Sequence, residues 1–356
     1  MVQIHGFGGW SYGKSTDNSY LGATPEGNSK NAQFALNVSA RPYERLSVIA
    51  QVNFDNAEEK TELDYGFAEW QATDQLKVRA GRVKHPFGLY GEVFDVGTVR
   101  PFQYLPQSIY GPIGFTAKAY NGAGLTGTKR AGAWELQYDL YAGAIDGDYA
   151  LATPPSSTTV PQPSPNDAPW RNVGFNYNDV IGGRLHVTTP VEGLLAGVSA
   201  FRGRDKFQSS TTNIEVDRIV YVASGEYTHG PITLRAEYGR GESETLHTQW
   251  GKYLEASYRI TPKWQVAGRI DKYKLDIPAF AASFAGPMAS TKNHEDLAFG
   301  VNYWFNANFV LRANYHMVEG NRYQYAPTNQ EMLAQLRAGG LDDESDALIL
   351  GAQFSF

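Results

Sequence analysis

Apolar positions recur with a period of two along most of this chain. In the segment "DALILGAQFSF" (346–356), Leu348, Leu350, Ala352, Phe354 and Phe356 share one parity, while Ile349, Gly351, Gln353 and Ser355 share the other. Such alternation predicts a strand with one mostly apolar face and one smaller, more polar face. Sixteen segments carry it: 2–12, 31–41, 46–55, 63–72, 76–84, 120–130, 134–144, 180–188, 194–204, 218–228, 232–240, 249–259, 264–273, 295–305, 309–317 and 346–356. Most are about 10 residues long, the length a tilted strand needs to cross a bilayer. No run of about 18 apolar residues exists, so helical spans are excluded. Two segments sort poorly: 194–204 is apolar on both parities, and 120–130 is rich in glycine.

The connections add direction. Every second one is short ("PYER", "TDQ", "AGA", "PVEG", "HGP", "TP", "NAN"), and the others are longer, as at 13–30, 85–119, 145–179, 274–294 and 318–345. An unbroken alternation of short and long connections predicts an all-β fold: a transmembrane antiparallel β-barrel of 16 strands. It forms a single domain, 1–356, with short periplasmic turns, long extracellular loops and both termini in the periplasm. Closure removes the edge strands that lipid could not satisfy. Trp70, Trp134, Tyr227, Tyr258, Trp264, Phe305, Phe309 and Phe356 lie beside short turns or the C-terminus on the outward parity, an aromatic girdle at one interface. The final strand is expected to close the barrel against 2–12. Because the chain opens directly on a strand, it reads as a mature chain with Met1 added.

Parity also assigns the lumen. Apolar residues at 76, 78 and 80 turn Lys77 and Arg79 inward; the same logic places Gln137, Asp139, Tyr141, Arg184, His186, Arg235, Glu237, Gln265, Arg269, Asp271, Arg312, Asn314 and His316 inside. Charge at bilayer depth is costly on the lipid face, by about 2–4 kcal/mol for Arg or Lys at midplane, so this regularity implies a wet lumen. Lys252 and Arg82 break it, falling on the lipid parity. The stretch 85–119 is rich in aromatics and proline, as an ordered loop would be, and its acids are Glu92 and Asp95. Facing wall bases, such acids would set a transverse field. The predicted pore-lining and constriction residues are therefore Lys77, Arg79, Glu92, Asp95, Arg184, Arg235, Glu237, Arg269, Asp271 and Arg312.

Composition narrows the function. The net charge is -6, which argues against a nucleic-acid partner. There is no cysteine, so thiolate chemistry and Cys-type zinc sites are excluded. No cofactor is expected. No Ser–His or Asp–His signature stands out among the histidines, which weighs against an enzyme. The proline-rich "ATPPSSTTVPQPSPNDAP" (152–169) predicts an extended loop. "TNQEMLAQLRAGG" (328–340) predicts a helix, with Thr328 and Glu331 as a capping box. "LDDESD" (341–346) lacks the ligand spacing of a calcium loop.

"GRVKHPFGLYGE" (81–92), "VRPFQYLPQSIYG" (99–111) and the terminal Phe356 resemble the 16-stranded porins of Gram-negative outer membranes, a group with phosphate-selective relatives. The resemblance implies a water-filled channel for passive diffusion of small hydrophilic solutes and ions. It also implies contact with outer-membrane lipid and lipopolysaccharide, a loop folded into the lumen, and a homotrimer. Gly6 and Gly8, on the outward parity, offer small residues where neighbouring barrels could approach. Bases and acids alternate on the wall, so weak charge selectivity is expected. The competing readings are a barrel enzyme of lipase or protease type, and a plugged or adhesive barrel.

Overall fold

The computed structural model describes residues 2–56, 60–111, 115–147, 175–208, 213–244, 246–278, 293–324 and 342–356. The proline-rich stretch 152–169 and the expected helix 328–340 lie outside the described residues. Sixteen strands follow one another: β1 (Val2–Ser15), β2 (Asn28–Tyr43), β3 (Leu46–Asp55), β4 (Lys60–Gln71), β5 (Leu76–Lys84), β6 (Ala119–Ala131), β7 (Trp134–Gly147), β8 (Phe175–Thr188), β9 (Leu194–Gln208), β10 (Asn213–His229), β11 (Ile232–Ser243), β12 (His247–Arg259), β13 (Trp264–Asp276), β14 (Asn293–Asn306), β15 (Phe309–Glu319) and β16 (Glu344–Ser355). Each pairs antiparallel with its sequence neighbours, and β1 pairs with β16 to close the barrel.

Most strands outrun the expected length, reaching 17 residues in β10. Hairpins continue beyond the bilayer because the ladder keeps backbone groups paired. This corrects the expected loop pattern. Connections at one end stay short, at 44–45, 72–75, 132–133, 189–193, 230–231, 260–263 and 307–308. At the other end 56–59, 209–212 and 244–246 are just as short, because strands consume those loops. The tight turns use glycine where the backbone demands it. Gly193 has φ +78, and a Cβ there would come within 1.7 Å of the Thr228 carbonyl oxygen.

At the seam, Phe7 faces Ser355 and Tyr12 faces Leu350. The amides of Gly6 and Phe356 each donate to the other's carbonyl, at 3.1 and 2.8 Å. A Cβ on Gly6 would sit 2.4 Å from the Phe356 ring, and one on Gly8 would sit 2.9 Å from the Phe354 ring. These glycines therefore make room for the chain's own aromatic rings. Phe34 stacks beside Phe356 at 6.3 Å and Phe54 beside Phe34 at 6.2 Å, continuing the aromatic row across the seam.

The outside is apolar. Leu140, Ile181, Val198, Leu254, Ile270, Phe299 and many others present large side chains outward. Exposure on this scale is foreign to a water-soluble monomer and suits lipid. Trp70, Trp134, Tyr258, Trp264, Phe305 and Phe356 are exposed at the end that carries the short turns. The inside is polar, except where 85–111 and 115–118 fold into it. There Phe87, Phe102, Ile109, Tyr110 and Phe115 are buried. This explains the two-sided apolarity of β9: Phe201 points inward, 5.6 Å from the rings of both His85 and Phe87.

Candidate functional site

The infolded loop, described over 85–111 and 115–118, contains two 3-10 turns, Gly91–Val93 and Gly97–Val99, and a short helix, Gln107–Tyr110. Many of its polar groups end on a wall side chain. Glu237 is the densest anchor. It accepts from the Leu89 amide at 2.9 Å, the Tyr110 hydroxyl at 2.5 Å, the Tyr253 hydroxyl at 2.8 Å and the Ser224 hydroxyl at 2.6 Å. Asp271 accepts from the amides of Gln107 at 2.6 Å and Ser108 at 3.2 Å. Arg269 donates to the Tyr104 carbonyl at 3.0 Å and lies 4.5 Å from the centre of the Phe102 ring. Arg312 donates to the Arg100 carbonyl, and the Gln103 amide donates to Asn314 at 2.7 Å. Glu237, Arg269, Asp271 and Arg312 are thus inward but covered by the loop, each no more than 3% exposed.

The loop acids meet bases. Glu92 lies 3.2 Å from Arg79 and also pairs with Arg184, whose other partner is Asp139 at 2.8 Å. Burial opposes ionisation of Glu92, but Arg184 and Arg79 outweigh it and hold the carboxyl below its usual range. Asp95 pairs with Lys84, itself 3.1 Å from Asp64. Burial again opposes the charge, yet Lys84 and Lys118 bring Asp95 down to about 2. Burial and the adjacent Glu237 push the Tyr110 hydroxyl well above its usual range, so it stays a donor.

Along the wall the charges pair across strands. Glu226, Arg235, Glu255 and Arg269 stand directly opposite one another on β10, β11, β12 and β13. Arg235 lies 2.5 Å from Glu226 and 3.6 Å from Glu255; Arg269 lies 3.6 Å from Glu255. Glu69 likewise holds Lys77 at 2.7 Å and Arg79 at 2.8 Å. Arg235 and Glu237, or Arg269 and Asp271, share a face of one strand, yet neither pair forms an ion pair. Opposite residues on neighbouring strands are about 5 Å apart at Cβ, whereas i and i+2 are about 6.6 Å apart, so the cross-strand partners win.

Residues that parity missed have an identifiable cause. In β4 the register shifts between Gln51↔Tyr65 and Val52↔Leu63, leaving Asp64 as an extra residue. This bulge breaks the period and hides Asp64 and Glu69. It also accounts for Arg82, whose Nε donates to the Asp64 carbonyl at 2.9 Å. Lys84 turns inward at the strand end to meet Asp64 and Asp95. Among the described residues, no group of three or more His, Asp or Glu is arranged to hold a metal ion.

An apolar exterior, a charged interior and an ordered infolded loop in a closed sixteen-stranded barrel define an outer-membrane channel-type barrel of Gram-negative bacteria. Residues 130–342, more than half of the chain, match the family described as "Putative beta-barrel porin-2, OmpL-like". The chain belongs to this porin family. Its fold is similar to that of the outer-membrane channel DcaP of Acinetobacter baumannii, with a TM-score of 0.62, 10% identity, and coverage of 100% of this chain and 97% of that one. OmpT of Vibrio cholerae, in a trimer form, gives a TM-score of 0.60 with 13% identity, covering 100% and 99%. An anion-selective porin from Comamonas acidovorans gives 0.57 with 12% identity, covering 100% and 99%. No curated protein matches the sequence.

Proposed function

We propose that this protein is a passive, water-filled channel for small hydrophilic solutes and ions, weakly charge-selective, without enzymatic activity or cofactor. Loop 85–118 is its constriction. The observation that carries the reading is the pairing of the partly exposed lumen charges. Lys77, Arg79 and Arg235 have side chains 44%, 18% and 17% exposed. Each lies within 3.2 Å of Glu69, Glu92 or Glu226, and those acids are 12%, 30% and 30% exposed. With each of these bases paired to an acid within a few ångströms, little net field is left at a Debye length of about 10 Å in 0.1 M salt. Strong selectivity needs rings of one sign. Arg184, Glu237, Arg269, Asp271 and Arg312 position the loop and act on permeating ions only through it.

Purified protein in a planar bilayer is expected to give stable ohmic conductance with a cation/anion permeability ratio within about tenfold. The loop is anchored on β1, β5, β7 to β9 and β11 to β16, and this favours a second reading, a barrel plugged at rest. Absence of any conductance would select it. By likeness to the trimer form of OmpT, we infer a homotrimer here, visible as a heat-modifiable band on an unheated gel.

A further inference from the structure

Four inward arginines have an acid in place. Arg79 has Glu69 and Glu92, Arg184 has Asp139 and Glu92, Arg235 has Glu226, and Arg269 has Glu255. Arg100 on the loop and Arg312 on β15 differ. Among the described residues neither takes part in an ion pair, although Arg100 is only 9% exposed and Arg312 only 3%. Their hydrogen bonds run to neutral carbonyls instead. Arg100 donates to Phe94 at 2.7 Å and to Gln103 at 2.9 Å, and Arg312 donates to Arg100 itself. Both lie in the seam between loop and wall. Gln103, whose carbonyl Arg100 holds, gives its amide to Asn314, two positions from Arg312.

The electrostatics of this seam are one-sided. The charge that acts most strongly on Arg312 is Arg100, and it repels. The acids that act most strongly on the two, Asp95 on Arg100 and Glu255 on Arg312, are already paired, with Lys84 and with Arg235 and Arg269. A guanidinium keeps its proton inside a protein, so two positive charges are buried here without a counter-charge beside them. Four buried N–H donors also lack an acceptor among the described residues: Arg100 Nε, Arg312 Nε and Nη1, and Asn314 Nδ2. The orientation of Asn314 is fixed, because its Oδ1 accepts from the Gln103 amide. The frame around them is uncharged: Asn302 and Gly351 stand directly opposite Arg312, and Gln353 donates to the Gln103 carbonyl. Charge and free donors thus call for the same partner, an anion. Nε and Nη1 of one guanidinium do not lie side by side, as a two-pronged carboxylate or phosphate contact needs. A spherical ion takes single N–H groups.

We propose that Arg100, Arg312 and Asn314 hold a chloride ion that locks the loop onto β15. The ion is resident rather than in transit, so it adds no ring of one sign to the path. The site stands for an open or a plugged barrel alike.

The test follows hydrogen exchange over 94–104 in the full-length protein in detergent, in sodium chloride against sodium gluconate at equal ionic strength. Chloride at about ten times its dissociation constant should slow exchange through loop opening about tenfold, as for any ligand that binds only the docked loop. Arg312→Gln should abolish the chloride dependence, whatever its effect on the baseline. Arg130→Gln, at an exposed arginine beside a short turn, should keep it in full. Heat-modifiable gel mobility shows which variants are folded. Should Arg312→Gln fail to fold, crystals of the unaltered protein in sodium bromide decide: an anomalous peak between Arg100 and Arg312 supports the site, and bromide found only elsewhere overturns it. Equal exchange in chloride and gluconate, chloride dependence that survives Arg312→Gln or is lost in Arg130→Gln, or stronger protection by inorganic phosphate than by chloride would each overturn the proposal.

Discussion

Replacing Glu92 by Gln removes one negative charge from between Arg79 and Arg184 while keeping the side chain's shape. Glu92 is 30% exposed, so a permeating ion can approach to about one water layer, roughly 6 Å. A unit charge at that distance in water is worth about 0.7 kcal/mol, and screening at 0.1 M salt cuts this to about 0.4 kcal/mol. The cation barrier rises by that amount and the anion barrier falls by the same amount. The permeability ratio therefore moves toward anions by about fourfold, since 1.4 kcal/mol is tenfold. Reversal potentials in a planar bilayer under a tenfold salt gradient measure it, with an expected displacement of a few tens of millivolts toward anions. Asp95→Asn is the comparison. Asp95 is only 8% exposed and faces Lys84 rather than the lumen, so its selectivity shift should be much smaller. Equal shifts in the two variants, or none in Glu92→Gln, would show that Glu92 does not face the ion path.

Other outcomes follow from the same geometry. Glu237→Ala leaves four donors without their carboxylate; docking of the loop should weaken by about 3 kcal/mol or more, read as faster hydrogen exchange over 85–111 and noisier conductance. Glu92 and Asp95 both titrate below their usual values, so their ion pairs hold the loop above the unfolded pKa and are lost as pH falls through the folded one. Conductance is expected to change as pH falls below about 4, where these two carboxylates lose their charge. Gly6→Val should lower thermal stability or block assembly, because its side chain would occupy the space of the Phe356 ring; gel mobility of the unheated protein reports this.

The barrel was legible because a membrane strand must alternate, and in β11, β13, β15 and the 180–188 stretch of β8 nothing interrupts the period. The inward positions of Arg184, Arg269 and Arg312 followed from parity alone. What parity could not say is whether an inward residue meets water or the loop, since that depends on contacts such as Asp271 to Gln107, 164 positions apart. Nor could it find Glu69, because the bulge at Asp64 resets the count in β4. The ends of strands were equally hidden: hairpins that extend past the bilayer no longer need an apolar face, so the pattern fades while the hydrogen bonds persist. The two oddities on the lipid parity have separate causes. Arg82 caps the bulge, and Lys252 marks where hydrocarbon stops.

The covalent order of the chain separates the loop from its partners. The loop emerges between β5 and β6, but the carboxylates that receive it belong to β11 and β13, and its last partners lie near the C-terminus: Gln353 donates to the Gln103 carbonyl at 3.3 Å, 250 positions away. Until those late strands are in place, the segment that lies in the lumen lacks these partners. It can dock only after the late strands have arrived and the seam at Phe356 has formed. A closed barrel whose loop had not yet docked would therefore have a wider lumen than the finished one.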